Sequence, residues 1–154
     1  MNKLVRFAIS ILLVSSLFSG CAIVESPEEK QKTQDLINRV QNSKITLIDV
    51  HHDHCEPCKA IEPIIDKLEK EYSSNPSIAF LKYDLSNPFK SDKSMKIAKE
   101  LGIENLYKSQ RYTGVVLVLD SKTKEVLETI VAEPNEEVYI QAIESRIGKK
   151  ESGT

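Results

Sequence analysis

The chain has 154 residues, 40% of them apolar and 29% charged, with a formal net charge of −2. That length suits one ordinary soluble domain with short appendages, long enough to bury a real core. The near-balance of charge excludes an electrostatic footprint for nucleic acid, and no polybasic patch for a membrane surface is present.

Met1 to Gly20 reads as an export signal, with a basic start at Lys3 and Arg6, an apolar run from Phe7 to Leu17, and the small residues Ser19 and Gly20. It is too short for a stable membrane span. Its removal takes the formal charge from −2 to about −4. Leu17-Phe18-Ser19-Gly20-Cys21 resembles the lipobox of bacterial lipoproteins, which implies that Cys21 becomes a lipid-modified N-terminus. Phe18 departs from the smaller aliphatic residue usual at that place. The plainer reading is a secretory signal followed by a stray cysteine. The resemblance predicts a protein exported and lipid-anchored to a bacterial membrane at its periplasmic face, and Ala22 after the cysteine slightly favours the outer membrane. Glu25 to Lys32 is charged, contains Pro27 and shows no apolar period, so it reads as a tether; residues 21–32 are then a lipidated N-terminus and tether, ahead of a folded domain over 33–150.

Within that domain, Leu36, Ile37 and Val40 predict a short amphipathic helix over Thr33 to Asn42. Ile45 to Val50 is β-rich and apolar on both parities, as expected of a buried central strand, with Asp49 as its anomaly. Ile61, Ile64, Ile65, Leu68 and Tyr72 keep one face of a helix, and Pro63 predicts a kink in it. Asn75-Pro76 marks a turn, and Ile78 to Leu85 reads as the next strand, broken by Asn87-Pro88. Ser91 or Asp92 is expected to cap a helix that presents Met95, Ala98 and Leu101 inward and ends at Gly102. Ile103 to Tyr112 is polar and irregular. Val115 to Leu119 and Val126 to Val131, joined by Asp120 to Lys124, form a hairpin pattern. Asn135 caps a last helix carrying Val138, Tyr139, Ala142, Ile143 and Ile147. This order predicts an α/β domain with a mixed central sheet and helices on both faces.

All three histidines and two of the three cysteines fall in His51-His52-Asp53-His54-Cys55-Glu56-Pro57-Cys58-Lys59, between the central strand and the helix. Strand, Cys-x-x-Cys, helix sets Cys55 at a helix N-terminus, where partial positive charge and free N–H groups favour a thiolate. Cys58 follows one turn later. Two thiols held this way can cycle between dithiol and disulfide, the first attacking a partner's disulfide and the second resolving the mixed intermediate.

From Thr33 to Ile147 the chain resembles the thioredoxin family, through Thr46-Leu-Ile-Asp-Val-His-His-Asp-His-Cys-Glu-Pro-Cys-Lys-Ala-Ile-Glu-Pro63. The resemblance implies a thioredoxin-like fold, Cys55 as nucleophile, Cys58 as resolving thiol, a redox disulfide between them, and Asp49 as the buried acid that helps deprotonate Cys58. It also sets Lys82 near that acid. His54, Glu56, Pro57, Thr113 and Gly114 form the rim of the site. Three positions depart from the family: His54 replaces a tryptophan, Glu56 replaces a glycine, and Gly114 stands where the family keeps a cis-proline. Glu56 opposes a thiolate at Cys55, whereas a protonated His54 favours one. A non-proline cis bond costs about 2.5–4 kcal/mol, so the peptide before Gly114 is expected to be trans. Gly114→Pro is expected to strengthen disulfide reduction.

The function implied is a thiol:disulfide oxidoreductase of the cell envelope, acting on protein cysteines through Cys-Glu-Pro-Cys. It acts as a monomer, with no cofactor and no nucleic acid, and meets the membrane through its N-terminal lipid. One alternative is a copper- or zinc-binding chaperone on the same fold, with Cys55, Cys58, His51 and His54 as ligands, since soft thiolates with imidazole suit those metals. The other is a redox-idle interaction module of the envelope. For His51 and His52 the plainer reading is a polar rim continuing the strand.

Overall fold

The computed structural model describes residues 26–148. The export signal, Cys21 and the first part of the tether lie outside that range, as do residues 149 and 150. The elements follow as α1 (Pro27–Asn42), β1 (Ile45–His51), α2 (Glu56–Glu71), β2 (Ile78–Asp84), α3 (Pro88–Glu100), α4 (Glu104–Ser109), β3 (Val115–Asp120), β4 (Val126–Val131) and α5 (Glu136–Ile147).

The four strands form one mixed sheet in the order β2-β1-β3-β4. β1 runs parallel to β2, with Asp49 opposite Lys82, and antiparallel to β3, with Val50 opposite Val115. β3 and β4 make the hairpin. Because side chains alternate across a strand, β1 feeds two separate cores. Ile48 and Val50 join Ile37 and Val40 of α1 and Ile97, Ala98 and Leu101 at the end of α3. Ile45 and Leu47 join Ile61, Ile65 and Leu68 of α2 with Tyr139, Ala142 and Ile143 of α5. All seven residues of β1 are buried, as a central strand covered on both faces requires.

Three expectations need correction. The stretch from Pro27 to Lys32, expected as tether, is the start of α1: Ser26 Oγ caps it by accepting from the Glu29 N–H at 3.2 Å, Pro27 sits at its first position, and Glu28 and Glu29 occupy its first turn. These residues are exposed, so the amphipathic period could not reveal them. α3 begins at Pro88 rather than near Ser91: Asn87-Pro88, which ends β2 in sequence, is a cap followed by a first-turn proline, with Asn87 Oδ1 accepting from the Lys90 N–H at 3.0 Å. The irregular stretch contains α4, held by tertiary contacts. Tyr107 stacks edge-on against Tyr83 at 4.9 Å and its hydroxyl reaches Ser91. α2 continues through Pro63, whose absent N–H leaves one interior bond unmade, while buried Ile61 and Ile65 pin the helix on either side.

Candidate active site

The C-terminal end of β1 delivers the chain into a short turn, His52 to His54, closed by the Cys55 N–H donating to the His52 carbonyl at 3.0 Å. The His54 N–H donates to His52 Nδ1 at 3.1 Å, and the Asp53 N–H to Ser86 Oγ at 3.0 Å. Cys55 is the N-cap of α2. Its sulfur accepts from the Cys58 N–H at 3.1 Å, so the helix terminus that a serine or aspartate oxygen usually caps is here capped by sulfur. That geometry favours negative charge on Cys55. Cys55 and Cys58 are joined in a disulfide. Cys55 is half-buried; Cys58 is fully buried, its sulfur 3.9 Å from the Val50 carbonyl.

Around the pair, Glu56, Pro57 and His54 are exposed and Thr113 is half-buried. The Glu56 carboxylate binds Lys59 Nζ at 2.7 Å, and this hydrogen bond holds its pKa below the usual carboxylate value. Lys59 thereby offsets part of the charge that Glu56 sets beside Cys55.

Gly114 lies against the disulfide. A Cβ there would stand 3.5 Å from Cys55 Sγ and only 2.7 Å from Pro57 Cβ. Its φ of +74° is open to glycine, its N–H donates to the Val50 carbonyl at 2.9 Å, and its own carbonyl accepts from the Ala132 N–H at 2.8 Å. Among the described residues no peptide bond is cis. The expectation for Gly114→Pro is therefore overturned: proline holds φ near −65°, removes the N–H bound to Val50, and carries a Cβ into Pro57. The substitution disrupts the start of β3 instead of tuning the groove.

Asp49 points to the α2/α5 face and is buried, 5% exposed. Burial pushes its pKa up from 3.8 to about 6, against the opposing pull of His51 and Lys82. Lys82, its register neighbour, does not form an ion pair with it. Its ammonium binds Glu62 at 2.7 Å at the edge of the sheet, where both keep water, whereas reaching Asp49 would strip that hydration. His51 also needs correction: it is 4% exposed, a buried side chain rather than rim, with Nε2 3.4 Å from Asp53 Oδ1 and Nδ1 3.9 Å from Asp49 Oδ2. Among the described residues no three His, Cys, Asp or Glu side chains converge to hold a metal, so the alternative ligands Cys55, Cys58, His51 and His54 are not assembled as a set.

Sequence reasoning missed Glu62 and Lys90. Glu62 had a signal, since four residues after Cys58 a side chain shares its helix face. Lys90 had none. It leaves the first turn of α3 to bind Asp53 at 3.1 Å and Asp84 at 3.2 Å.

The family model for thioredoxin matches residues 28–133. Thioredoxin from Borreliella burgdorferi is 37% identical over 60 residues, 39% of this chain and 44% of that protein. Thioredoxin from Coprinus comatus is 36% identical over 64 residues, 41% of this chain and 59% of that one. The chain thus spans about half the length of these relatives. A solved redox protein from Chlamydomonas reinhardtii superposes with a TM-score of 0.55 at 21% identity, covering 90% of this chain and 42% of its own, a likeness of fold. With a mixed four-stranded sheet clad by helices on both faces, the domain has the thioredoxin fold, and the chain belongs to the thioredoxin family.

Proposed function

We propose that this protein is a thiol:disulfide oxidoreductase that exchanges electrons with protein cysteines through Cys55 and Cys58. The observation that carries this reading is the asymmetry of the pair: one disulfide at a helix N-terminus, its first cysteine half-buried and its second fully buried.

In the reducing direction, the Cys55 thiolate attacks a sulfur of the partner's disulfide, forming a mixed disulfide and releasing one partner thiolate. Cys58 then gives its proton to Asp49, and its thiolate attacks Cys55 Sγ. The Cys55–Cys58 bond forms, the bond from Cys55 to the partner breaks, and the second partner sulfur leaves as thiolate. Two electrons pass from the dithiol to the partner. With a carboxyl pKa near 6, Asp49 is ionised at neutral pH and still basic enough to accept that proton.

The test is reduction of insulin disulfides with dithiothreitol as electron source, joined to alkylation of the reduced protein. Cys55 should label faster than Cys58, and Cys58→Ser should trap mixed disulfides while Cys55→Ser should not. Failure to turn over insulin, with both thiols labelling equally, removes the reading.

The proposal extends to location. The pattern Leu17 to Cys21 supports lipid attachment at Cys21 and anchoring at the outward side of a bacterial membrane. Cys21→Ser should move the domain from the membrane fraction to the soluble one with its melting unchanged; a wild-type chain already soluble after export refutes this part alone.

A further inference from the structure

Two buried polar atoms on the α2/α5 side of the sheet have no hydrogen-bond partner: Asp49 Oδ1 and His51 Nδ1. They belong to neighbouring side chains on one face of β1, two residues apart, with His51 Nδ1 3.9 Å from Asp49 Oδ2. Buried polar groups are normally satisfied, and leaving them unpaired is costly. One proton placed between His51 Nδ1 and Asp49 Oδ2 satisfies the orphaned nitrogen, after a closure of about 1 Å to normal hydrogen-bond length, and leaves Asp49 Oδ1 as the open acceptor for an incoming proton.

We propose that in the disulfide form Asp49 and His51 hold one proton between them, and that His51 carries the proton taken from Cys58 out to solvent past Asp53. This rests on the oxidoreductase reading and names the outlet its resolving step needs.

The surroundings leave His51 as the outlet. Its other nitrogen, Nε2, lies 3.4 Å from Asp53 Oδ1, and Asp53 is half-exposed. The Asp53 carboxyl is held down to about 2, first by its hydrogen bond from Lys90 and then by that from Ser86, so it is a constant anion over the working range. Lys90 is shared with Asp84. On α2, Glu62 is occupied by Lys82, and Asp66 adds a further negative charge that favours the proton on Asp49. From α5, Tyr139 commits its hydroxyl to the Glu133 carbonyl at 2.9 Å. Of the charged groups acting on Asp49, His51 acts most strongly.

The step balances. Cys58 loses its proton to Asp49 as its sulfur bonds to Cys55 and the partner leaves as thiolate. In the dithiol form His51 carries its proton on Nε2, so Asp49 passes the Cys58 proton to the free His51 Nδ1, and the imidazolium releases its Nε2 proton to water beside Asp53. Asp49 is left as the carboxylate and His51 as the neutral Nδ1–H tautomer; when the disulfide is reduced again, His51 takes up a proton at Nε2 and returns the Nδ1 proton through Asp49 to Cys58, which restores the starting tautomer.

The test follows the Asp49 carboxyl by carbon-13 NMR across pH 4–9 in the full chain, alongside the pH profile of insulin reduction. In His51→Phe and His51→Gln the Asp49 midpoint should rise above its wild-type position. The acid limb of the rate profile should rise with it, and turnover should also be roughly threefold or more slower on the plateau above pH 8, where Asp49 is ionised in every variant and the missing outlet is what slows the step. His51→Gln keeps a polar side chain that cannot take up the proton, so it gives an answer even where His51→Phe does not fold. An unchanged Asp49 midpoint in either folded variant overturns the shared proton. A shifted midpoint with a wild-type plateau rate above pH 8 overturns the relay. A wild-type protein that reduces no disulfide removes the relay together with the functional reading, while the carboxyl titration still decides on the shared proton.

Discussion

Along β1 the two faces start alike and end differently. Toward α1 and α3, Ile48 and Val50 carry apolar packing up to the last turn of the strand. Toward α2 and α5, Ile45 and Leu47 do the same, and then Asp49 and His51 take over. The alternation of a strand lets one face hold the sheet in place while the other, one residue away, carries groups that burial disfavours. Raising the Asp49 carboxyl from 3.8 to about 6 corresponds to about 3 kcal/mol lost at neutral pH relative to an unperturbed acid. The apolar face supplies what offsets it.

This contrast can be broken from either side. The largest effect on chemistry is expected from Cys55→Ser, which should abolish insulin reduction while leaving the thermal transition of the reduced protein within a few degrees of wild type. On the opposite face, Ile48→Ala should cost about 2–5 kcal/mol in urea unfolding, with Cys55 alkylation unchanged below the transition. Asp49→Asn should do the reverse, slowing the resolving step and stabilising the fold. The sign follows from the raised pKa: the folded state holds its proton more tightly than the unfolded chain, so wild-type stability is full below about pH 4 and declines as pH rises through about 6. The variant should therefore exceed wild type by up to about 3 kcal/mol at pH 7.5 and match it near pH 4, read by urea unfolding at both. Gly114→Ala should cost about 1–3 kcal/mol from its backbone conformation, and more from its approach to Pro57. Smallest of all, Glu56→Gln should change stability by less than about 0.5 kcal/mol while modestly raising the alkylation rate of Cys55.

The same contrast marks what could be read from sequence. The apolar face announces itself, because Ile48, Val50 and the helix residues opposite keep their periods. Cys55 and Cys58 were legible because their spacing is local. The inward turn of His51 was not: polarity argues for the surface, and only the three-dimensional position of Asp49 and Asp53 makes its burial tolerable. Lys82 misled for the opposite reason. Register put it beside Asp49, but Glu62, from another element, holds its ammonium. Helices α1 and α3 begin with capping residues and a proline, and in sequence the same proline reads as a stop.

The contact between Gly114 and Pro57 makes the order of mutations matter. An alanine at 114 incurs two separate penalties, a left-handed backbone and a Cβ driven to 2.7 Å from that of Pro57, and only the second depends on what occupies position 57. In a Pro57→Gly background that second penalty vanishes, so the two changes should be non-additive in a double-mutant cycle. Losing the Cβ at position 57 therefore lightens a substitution at Gly114 without freeing it, since the left-handed backbone penalises any other residue there whatever stands 57 residues earlier in the chain.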